Sequence, residues 1–304
     1  MKRTFIALQR ALLCLLFAAI GASLFAQEAR ELVTNTFSWT QVINAQTVEV
    51  VPRKRSFGFM IQHRFGAVPP DEQWVTSFLG LDLPANIRFG FQYALTDRLQ
   101  LEIGRGKYGK TYDLSAKTRI LRQTVDKGMP ISLTGYFNVA AMTDKFPAVG
   151  DNRFFGDRVT PFVYRTKHRF SYNTELIVAR RFSNVFSAQL AVAAVYRNLV
   201  PEGQSNLTMA FPISGRIKVT TKGSILFEYT PVLVGQQVDQ LNPVALAYEV
   251  ATLGHVFQII VASSPQILEQ DLFTTPVTPY DEGYVLLGFN IARTLYVKPK
   301  KPRS

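Results

Sequence analysis

Along most of this 304-residue chain, apolar and polar residues alternate with a period of two. In the segment 85–95 (ANIRFGFQYAL), every second side chain from Ile87 to Leu95 is aliphatic or aromatic, with Arg88 and Gln92 between them. Successive side chains of a β-strand point to opposite faces, so this pattern predicts strands with one apolar face. The alternation recurs at 112–120, 170–178, 186–196, 224–229 and 285–291, and no segment of similar length shows a convincing helical period.

Twelve strands are predicted, at residues 56–65, 85–95, 99–106, 110–122, 130–142, 167–181, 185–198, 204–219, 223–233, 243–251, 254–263 and 283–292. An even number of strands of about ten residues, each with one apolar face, is typical of an outer-membrane barrel. Connections after even-numbered strands are short and most of those after odd-numbered strands are long. In such barrels the long loops face outward. We therefore predict an all-β fold, a transmembrane antiparallel up-and-down β-barrel of about twelve strands.

Two other fold classes compete with this prediction. A secreted β-sandwich also alternates, but it rarely needs twelve long strands with so many aromatic residues on the apolar face. A helical membrane protein is suggested by residues 243–268, whose ionisable residues are Glu249 and His255. Glu249 alternates with apolar neighbours, however, and β-branched residues fill the second half, which favours a hairpin turning at 252–254.

The first 26 residues have the layout of a secretory signal peptide. Lys2 and Arg3 give a basic start, and Ala11–Ala26 is an apolar run that ends in small residues. This run is shorter than the ~20 residues that a membrane-spanning helix needs. Cys14, the one cysteine, lies inside it, so we predict a mature chain without thiols. The predicted segments are a cleaved signal peptide (1–26), an N-terminal segment (27–55), the barrel (56–292) and a basic tail (293–304), and the predicted location is the cell outer membrane.

The formal net charge of +12 changes this picture little. The cations are scattered singly, except for RKR at 53–55 and the tail at 298–304. This distribution favours solvated or membrane-proximal charge over a nucleic-acid surface. The predicted partners are therefore the lipid bilayer and, by class, the export and barrel-assembly machinery, with no nucleic acid.

The stretch GRGKYGKT (104–111) fits the phosphate-loop pattern G-x-x-x-x-G-K-[ST]. A phosphate loop leads from a strand into a helix whose N-terminal amides face the phosphates. Here the stretch leads into YDLSAKTRI, which alternates as a strand. Glycines also suit a tight hairpin turn. We interpret Gly104–Thr111 as a turn on the outward side and predict no nucleotide binding.

Several blocks resemble a family of bacterial outer-membrane β-barrel proteins classed as a domain of unknown function. They are HRFG (63–66), FLGLDLPANIRFGFQYALTDRLQLEIGRGKYGKTYDLSAKTRIL (78–121), GHVFQIIVASS (254–264) and LLGFNIAR (286–293). The resemblance extends from about Phe37 to Arg293. It implies the barrel fold and the outer-membrane location, and it carries no activity or functional residues.

Function is therefore sought on the face opposite the apolar one, which the alternation directs into the lumen. The predicted lumen-lining charges are Arg64, Arg88, Glu102, Lys117, Arg119, Glu175, Glu228 and Glu249. One interpretation is a network of ion pairs that stabilises a structural barrel. The other is a polar path for passive passage of a small solute. Strand number does not decide, since ~8-stranded barrels are filled by side chains and ~16-stranded ones are open.

Residues 27–55 bear on this choice, and three arrangements remain open for them: an inward plug, a periplasmic strand, or a loose segment. A surface-adhesion or partner-binding role for the long loops 143–166 and 264–282 is an alternative function. A hydrolase is a weaker one, because His63 and His255 have no serine at i±2 and His168 and Ser171 point to opposite faces. Three dispersed histidines also form no recognisable metal-ligand cluster. We predict no catalytic, cofactor or metal site.

The turn interpretation of Gly104–Thr111 is testable with Lys110→Ala. In a phosphate loop this lysine reaches the phosphates, whereas in a hairpin turn it is dispensable. We expect the variant to fold and insert like the wild type, and neither protein to bind ATP in equilibrium titration. Micromolar ATP affinity that the substitution abolishes would overturn the interpretation.

Overall fold

A computed structural model describes residues 30–70, 73–150, 153–236 and 240–296. The predicted signal peptide and the last eight residues of the predicted basic tail lie outside these ranges. Within them, no helix is long and apolar enough to cross a membrane. The barrel strands are β1 (Phe57–Val68), β2 (Asn86–Ala94), β3 (Leu99–Gly106), β4 (Tyr112–Leu121), β5 (Ser132–Ala141), β6 (Phe170–Arg181), β7 (Phe186–Arg197), β8 (Leu207–Ala210 and Ile213–Lys218), β9 (Gly223–Tyr229 and Val232–Val234), β10 (Val244–Ala251), β11 (His255–Ala262) and β12 (Val285–Leu295).

These strands form one closed antiparallel barrel in chain order. Each strand pairs with the next, and β12 pairs with β1 to close the ring. The prediction of a twelve-stranded up-and-down barrel is confirmed. β8 and β9 are each interrupted, at Pro212 and Pro231. Proline has no backbone N–H to donate to a ladder, which accounts for both breaks. β12 continues to Leu295, three residues beyond the predicted end of the barrel at 292.

Apolar side chains cover the outside of the wall, and polar side chains line the inside. In β3, for example, Leu101 and Ile103 are exposed while Gln100 and Glu102 are buried. The short turns gather at one end of the barrel, called here the turn end, and the long loops at the other, called the loop end. GRGKYGKT belongs to the loop end, where a 3-10 turn (Tyr108–Lys110) joins β3 to β4. The predicted hairpin turn is confirmed, since a strand follows the glycines.

The lumen is filled from both ends. From the turn end, residues 36–51 enter as a hairpin, called here the lumenal hairpin, which turns between Val42 and Ala45. From the loop end, the connection between β11 and β12 carries a short helix inward, α2 (Glu269–Leu272). The other short helix, α1 (Gln73–Thr76), lies in the β1–β2 loop. Residues 36–51 of the N-terminal segment thus lie inside the barrel against its inner wall.

Apolar residues of the lumenal hairpin pack against a patch of small and aliphatic side chains on the inner wall. Phe37, Val42, Ile43 and Val48 belong to one buried cluster with wall residues between β5 and β12. The wall side of the cluster includes Tyr136, Ile177, Ala179, Ala191, Leu226, Ala245, Ala247, Ile260, Ala262 and Leu286. The barrel therefore has a packed interior, in which one face of the hairpin is buried on an apolar patch and the other faces polar side chains.

The assignment of faces can be tested by placing a cation on the outer wall. Ile259 lies in the middle of β11 and is 70% exposed. Arginine at the bilayer midplane of a barrel costs about 2–4 kcal/mol, and the cost falls to about 0–1 kcal/mol near the interface. We expect Ile259→Arg to impair insertion sharply and Leu295→Arg, at the end of β12, to insert normally. Folding yield in lipid vesicles, followed by heat-modifiable gel mobility, measures both, and equal yields would contradict the assignment.

Candidate functional site in the barrel lumen

A row of polar side chains runs around the inner wall at one level. Gln258 on β11 is paired in register with Glu249 on β10 and with Asn290 on β12, and Gln62 on β1 is paired with Asn290 and with Arg88 on β2. Gln258 Nε2 donates to Glu249 Oε2 at 3.0 Å, and Asn290 Nδ2 donates to Gln258 Oε1 at 2.7 Å. Arg88 Nη1 donates to Gln62 Oε1 at 3.1 Å. This row, called here the polar belt, crosses five consecutive strands.

Arg88 extends the polar belt toward β3 and β4 by binding two carboxylates. Its Nη2 lies 2.8 Å from Glu102 Oε1 and 2.6 Å from Asp113 Oδ1, and its Nε lies 3.0 Å from Asp113 Oδ2. All three side chains are almost completely buried. Charged groups in this environment are stable only when they are paired and hydrogen-bonded. The arginine therefore holds three adjacent strands together from the inside.

Gly104 gives this arginine its space. A Cβ atom at Gly104 would stand 2.3 Å from Arg88 Nη2 and 2.3 Å from Asp113 Oδ2. Those distances are far inside van der Waals contact, so any side chain on β3 here would block the reach of Arg88 to β4. The first glycine of GRGKYGKT thus has a packing role inside the barrel.

The tip of the lumenal hairpin is held by a single wall carboxylate. Glu228 Oε1 accepts hydrogen bonds from three successive backbone amides, those of Ile43 (2.7 Å), Asn44 (3.0 Å) and Ala45 (2.9 Å). Successive N–H groups in a turn form a concave site that suits an anion. Arg64 Nη2 donates to Asn44 Oδ1 at 2.8 Å, so a wall cation supports the same turn. The hairpin turn is therefore bound as if it were a ligand.

The two arms of the lumenal hairpin are also fixed to the wall by hydrogen bonds. Lys117 Nζ donates to Thr40 O at 2.5 Å, and Gln189 Nε2 donates to Gln46 O at 2.7 Å. Arg119 binds the Glu49 carboxylate and donates to Val48 O. Ser38 Oγ donates to Glu249 Oε1 at 2.6 Å. Much of the hairpin backbone is thus satisfied by wall side chains.

At the loop end, α2 closes the space above the hairpin. Gln46 Nε2 donates to Glu269 Oε1 at 2.8 Å, so the hairpin and α2 are in direct contact. Gln270 Nε2 donates to Asn138 Oδ1 at 2.5 Å. Leu272 and Phe273 are buried against apolar residues of β7, β8 and β9. The segment is therefore docked inside the wall by polar and apolar contacts.

Burial raises the pKa values of two carboxyl groups in this loop, those of Asp271 and Glu269. It raises the pKa of Asp271 to about 6, with Arg197 opposing the shift. Because the folded pKa lies above the ordinary value, docking is most favourable at acid pH. It loses stability as pH rises from 3.8 to about 6. Burial and the neighbouring Glu175 also raise the pKa of Glu269.

The structure places the eight predicted charges on the inner face, where seven are buried and Arg119 is half-buried. Those that contact the lumenal hairpin directly are Arg64, Lys117, Arg119, Glu228 and Glu249. Arg88 and Glu102 contact each other, and Glu175 accepts from Asn173 Nδ2 at 2.7 Å.

Two buried carboxylates of the lumen, Asp113 and Glu269, are absent from the predicted lumen-lining set. Asp113 stands on the inner face in the alternation of β4, so its position was readable from the sequence. Glu269 lies in a long loop without periodicity, and no local pattern indicates that this loop folds inward.

Cavities remain at both ends of the filled lumen. One of about 250 Å³ opens at the turn end beside Trp39, Glu49 and Arg119. Another of about 190 Å³ lies at the loop end beside Met142, Arg169 and Asp271. The two have no lining residue in common, and the hairpin and α2 fill the lumen between the two ends. Among the described residues, no group of three or more His, Cys, Asp or Glu side chains has the arrangement of a metal site.

The solved structures to which this chain is similar include a channel, a porin and a phospholipase. The COG4313 outer membrane channel from Pseudomonas putida F1 has a TM-score of 0.48 and 10% identity, covering 82% of this chain and 98% of its own. The NanC porin has a TM-score of 0.48 and 5% identity, covering 79% and 100%. Outer membrane phospholipase A from Escherichia coli has a TM-score of 0.42 and 7% identity, covering 80% and 91%. No role is transferred from these similarities.

A family model described as "Membrane bound beta barrel domain (DUF5777)" matches residues 37–295. The match begins in the lumenal hairpin and ends in β12, so it includes the plug as well as the wall. A search among curated proteins gave no significant match.

The closed interior predicts a large effect of removing Arg88. Arg88→Met leaves Glu102 and Asp113 buried without their cation, and breaking a buried pair in this way costs about 3–5 kcal/mol. Arg158→Met is the matched control, because Arg158 pairs with Glu202 where both side chains are more than three-quarters exposed. We expect Arg88→Met to lower the midpoint of urea unfolding strongly and Arg158→Met to leave it almost unchanged. Equal midpoints would indicate that water screens the Arg88 cluster.

Proposed function

Because this chain belongs to the family of membrane-bound β-barrel domains, we propose that it is an outer-membrane barrel closed at rest by its own N-terminal hairpin, through which small polar solutes pass only when the hairpin leaves. No catalytic step is part of this proposal. The His168 ring accepts a hydrogen bond from Arg165 N through Nδ1, while His63 and His255 stack on phenylalanines of the outer wall.

The class of fold supports the proposed outer-membrane location. A membrane barrel with short turns at one end and long loops at the other is typical of the bacterial outer membrane, where the turns face the periplasm. The predicted signal peptide would deliver the chain to that side through the export machinery, and the barrel-assembly machinery would insert it. The lumenal hairpin enters from the turn end, so the plug would face the periplasm.

The observation that carries the proposal is how the lumenal hairpin is bound. Glu228 and Arg64 hold its tip through hydrogen bonds, and Lys117 and Gln189 hold its arms in the same way. Water can replace each of these contacts once the hairpin has left. Behind the hairpin, the polar belt lines the inner wall on five consecutive strands. The lumen of barrels that carry aqueous solutes is likewise polar. A purely structural filling would favour apolar packing over buried charge, since buried ion pairs add little stability.

Single-channel recording tests this directly. We expect the wild type to be closed almost all the time, with rare openings. Glu228→Ala removes the acceptor of three hairpin amides, and each unsatisfied buried group costs about 1–3 kcal/mol, so the open fraction should rise roughly tenfold or more. Glu202→Ala, which removes an exposed carboxylate at the loop end, is the control and should leave the recording unchanged.

A second measurement follows the hairpin itself. The one native cysteine is Cys14 in the predicted signal peptide, so Ala45→Cys supplies a single reporter at the buried hairpin tip. A membrane-impermeant thiol reagent should label it faster in the Glu228→Ala background. If labelling rises and no current appears, the barrel is structural and the passage part of the proposal fails. A steady current through the wild type would contradict the resting closure.

Recognition by the long loops is the second candidate function, and one observation favours it. In the loop between β5 and β6, Phe155, Phe162 and Tyr164 pack on one another. The same three rings line a cavity of about 430 Å³, which extends to Val200 and Glu202 of the β7–β8 loop. An aromatic cavity between outward loops suits the binding of a partner or ligand.

A further inference from the structure

Positive charge is concentrated at the turn end of the barrel. The cations in or beside the short turns and in the segment before β1 are Arg30, Arg53, Lys54, Arg55, Arg98, Arg122, Lys127, Arg180, Arg181, Lys218, Lys222 and Arg293. The described carboxylates in the same turns and segments are Glu31, Glu49, Asp97 and Asp126. Asp126 is paired with Arg30 at 3.4 Å, and Glu49 is paired with Arg119 of β4. The cations thus outnumber these described carboxylates by twelve to four, and the four cations in or beside the β6–β7 and β8–β9 turns have no carboxylate in their own turn.

The loop end has a different balance. Its cations are interspersed with carboxylates, among them Asp82, Asp144, Asp157, Glu202, Asp281 and Glu282. Lys110 and Arg158 pair with two of them, Asp144 at 3.0 Å and Glu202 at 3.6 Å. Among the described residues, the excess of cations over carboxylates is thus larger at the turn end than at the loop end.

The tips of the same turns carry exposed apolar side chains. Leu253 in the β10–β11 turn is fully exposed, and Phe182 and Val185 in the β6–β7 turn are more than half exposed. Arg180 lies over the Phe182 ring at 5.3 Å. Apolar and aromatic groups mixed with arginine and lysine are typical of the boundary between lipid tails and headgroups. These tips continue the apolar outer wall of the barrel.

A small basic cavity lies between the β6–β7 turn and the end of β8. It measures about 110 Å³ and is lined by Arg181, Arg216 and Lys218, together with Asn184 and Ser187. Arg216 Nε is 3.8 Å from Glu249 Oε1, while Arg181 donates to Thr34 O and Asn184 Oδ1. Val185, exposed at the turn tip, lines the same cavity, so the cavity opens at the barrel rim.

We propose that the turn end binds anionic phospholipids of the adjoining leaflet, with phosphate headgroups on its cations and one headgroup held in the cavity of Arg181, Arg216 and Lys218. Guanidinium and ammonium groups are the usual protein partners of phosphate oxygens. Clustered basic residues at a membrane surface attract anionic lipid, each cation adding several-fold to the affinity. The occupant is taken to be lipid because Val185, an exposed apolar residue at the tip of the β6–β7 turn, lines the cavity together with these cations.

The test compares lipids retained by the folded protein. The mature chain is reconstituted in an equimolar mixture of phosphatidylglycerol and phosphatidylcholine, extracted in mild detergent, and examined by native mass spectrometry. We expect the wild type to retain phosphatidylglycerol preferentially, less so at high salt because exposed charges are screened. A variant with four turn-end cations neutralised should show this preference reduced about tenfold or more. Its substitutions are Arg180→Gln, Lys218→Gln, Lys222→Gln and Arg293→Gln. Lys218→Gln alone should reduce the preference several-fold.

The control neutralises the same number of cations at the loop end, through Lys145→Gln, Arg153→Gln, Lys167→Gln and Arg158→Gln. It should keep the preference of the wild type, and heat-modifiable gel mobility verifies that every variant is folded. Equal retention of the two lipids by the wild type overturns the proposal, as does an equal loss in the control. If inorganic phosphate displaces the retained phosphatidylglycerol at comparable concentration, the cavity is a site for soluble phosphate and the lipid assignment is wrong.

Discussion

Polar groups that the inner wall removes from water are costly without a partner, and this cost bears on how the lumen is filled. An unpaired charge in such an interior costs several kcal/mol, so a polar wall either stays wet or is matched group by group. Here Glu228 is matched by three backbone amides, Lys117 by a carbonyl, and Arg88 by two carboxylates. The lumenal hairpin supplies backbone groups on one face and apolar side chains on the other. It is complementary to a wall that is itself half polar and half apolar.

The wall could be predicted from the sequence because it obeys a local rule. Alternation assigns each residue of a strand to a face, so the outer surface, the twelve strands and the inward charges such as Arg64 and Glu102 were all readable. The hairpin could not be placed in this way. Its contacts join residues far apart in sequence, such as Ile43 with Glu228 and Ser38 with Glu249. Nothing local in residues 36–51 distinguishes a segment that lies in the lumen from one that adds a strand.

Gly104 is a single residue whose role likewise could not be predicted from the local sequence pattern. Its place in GRGKYGKT suggests turn chemistry or a phosphate loop, and the turn does follow at Tyr108–Lys110. The glycine itself lies within β3, where it leaves space for Arg88 to reach Asp113 on the strand beyond. A glycine is needed at position 104 because the Arg88 side chain of the neighbouring strand crosses the sheet there. The residue pattern along β3 alone does not reveal this need. A sequence can therefore match a motif at every position while its residues have a different structural role.

The proposed opening of the lumen depends on the kind of contact that closes it. Apolar packing on Ile177 and Leu226 orders the hairpin, but its tip and arms are tied by hydrogen bonds to wall side chains that water can satisfy equally well. The difference in free energy between the plugged and the hydrated lumen is then much smaller than the number of hairpin–wall contacts suggests. Since the arms of the hairpin return to the turn end, it can leave without breaking any β-ladder of the wall. A barrel filled by its own strand residues would have no such path, because opening it would require unfolding the wall.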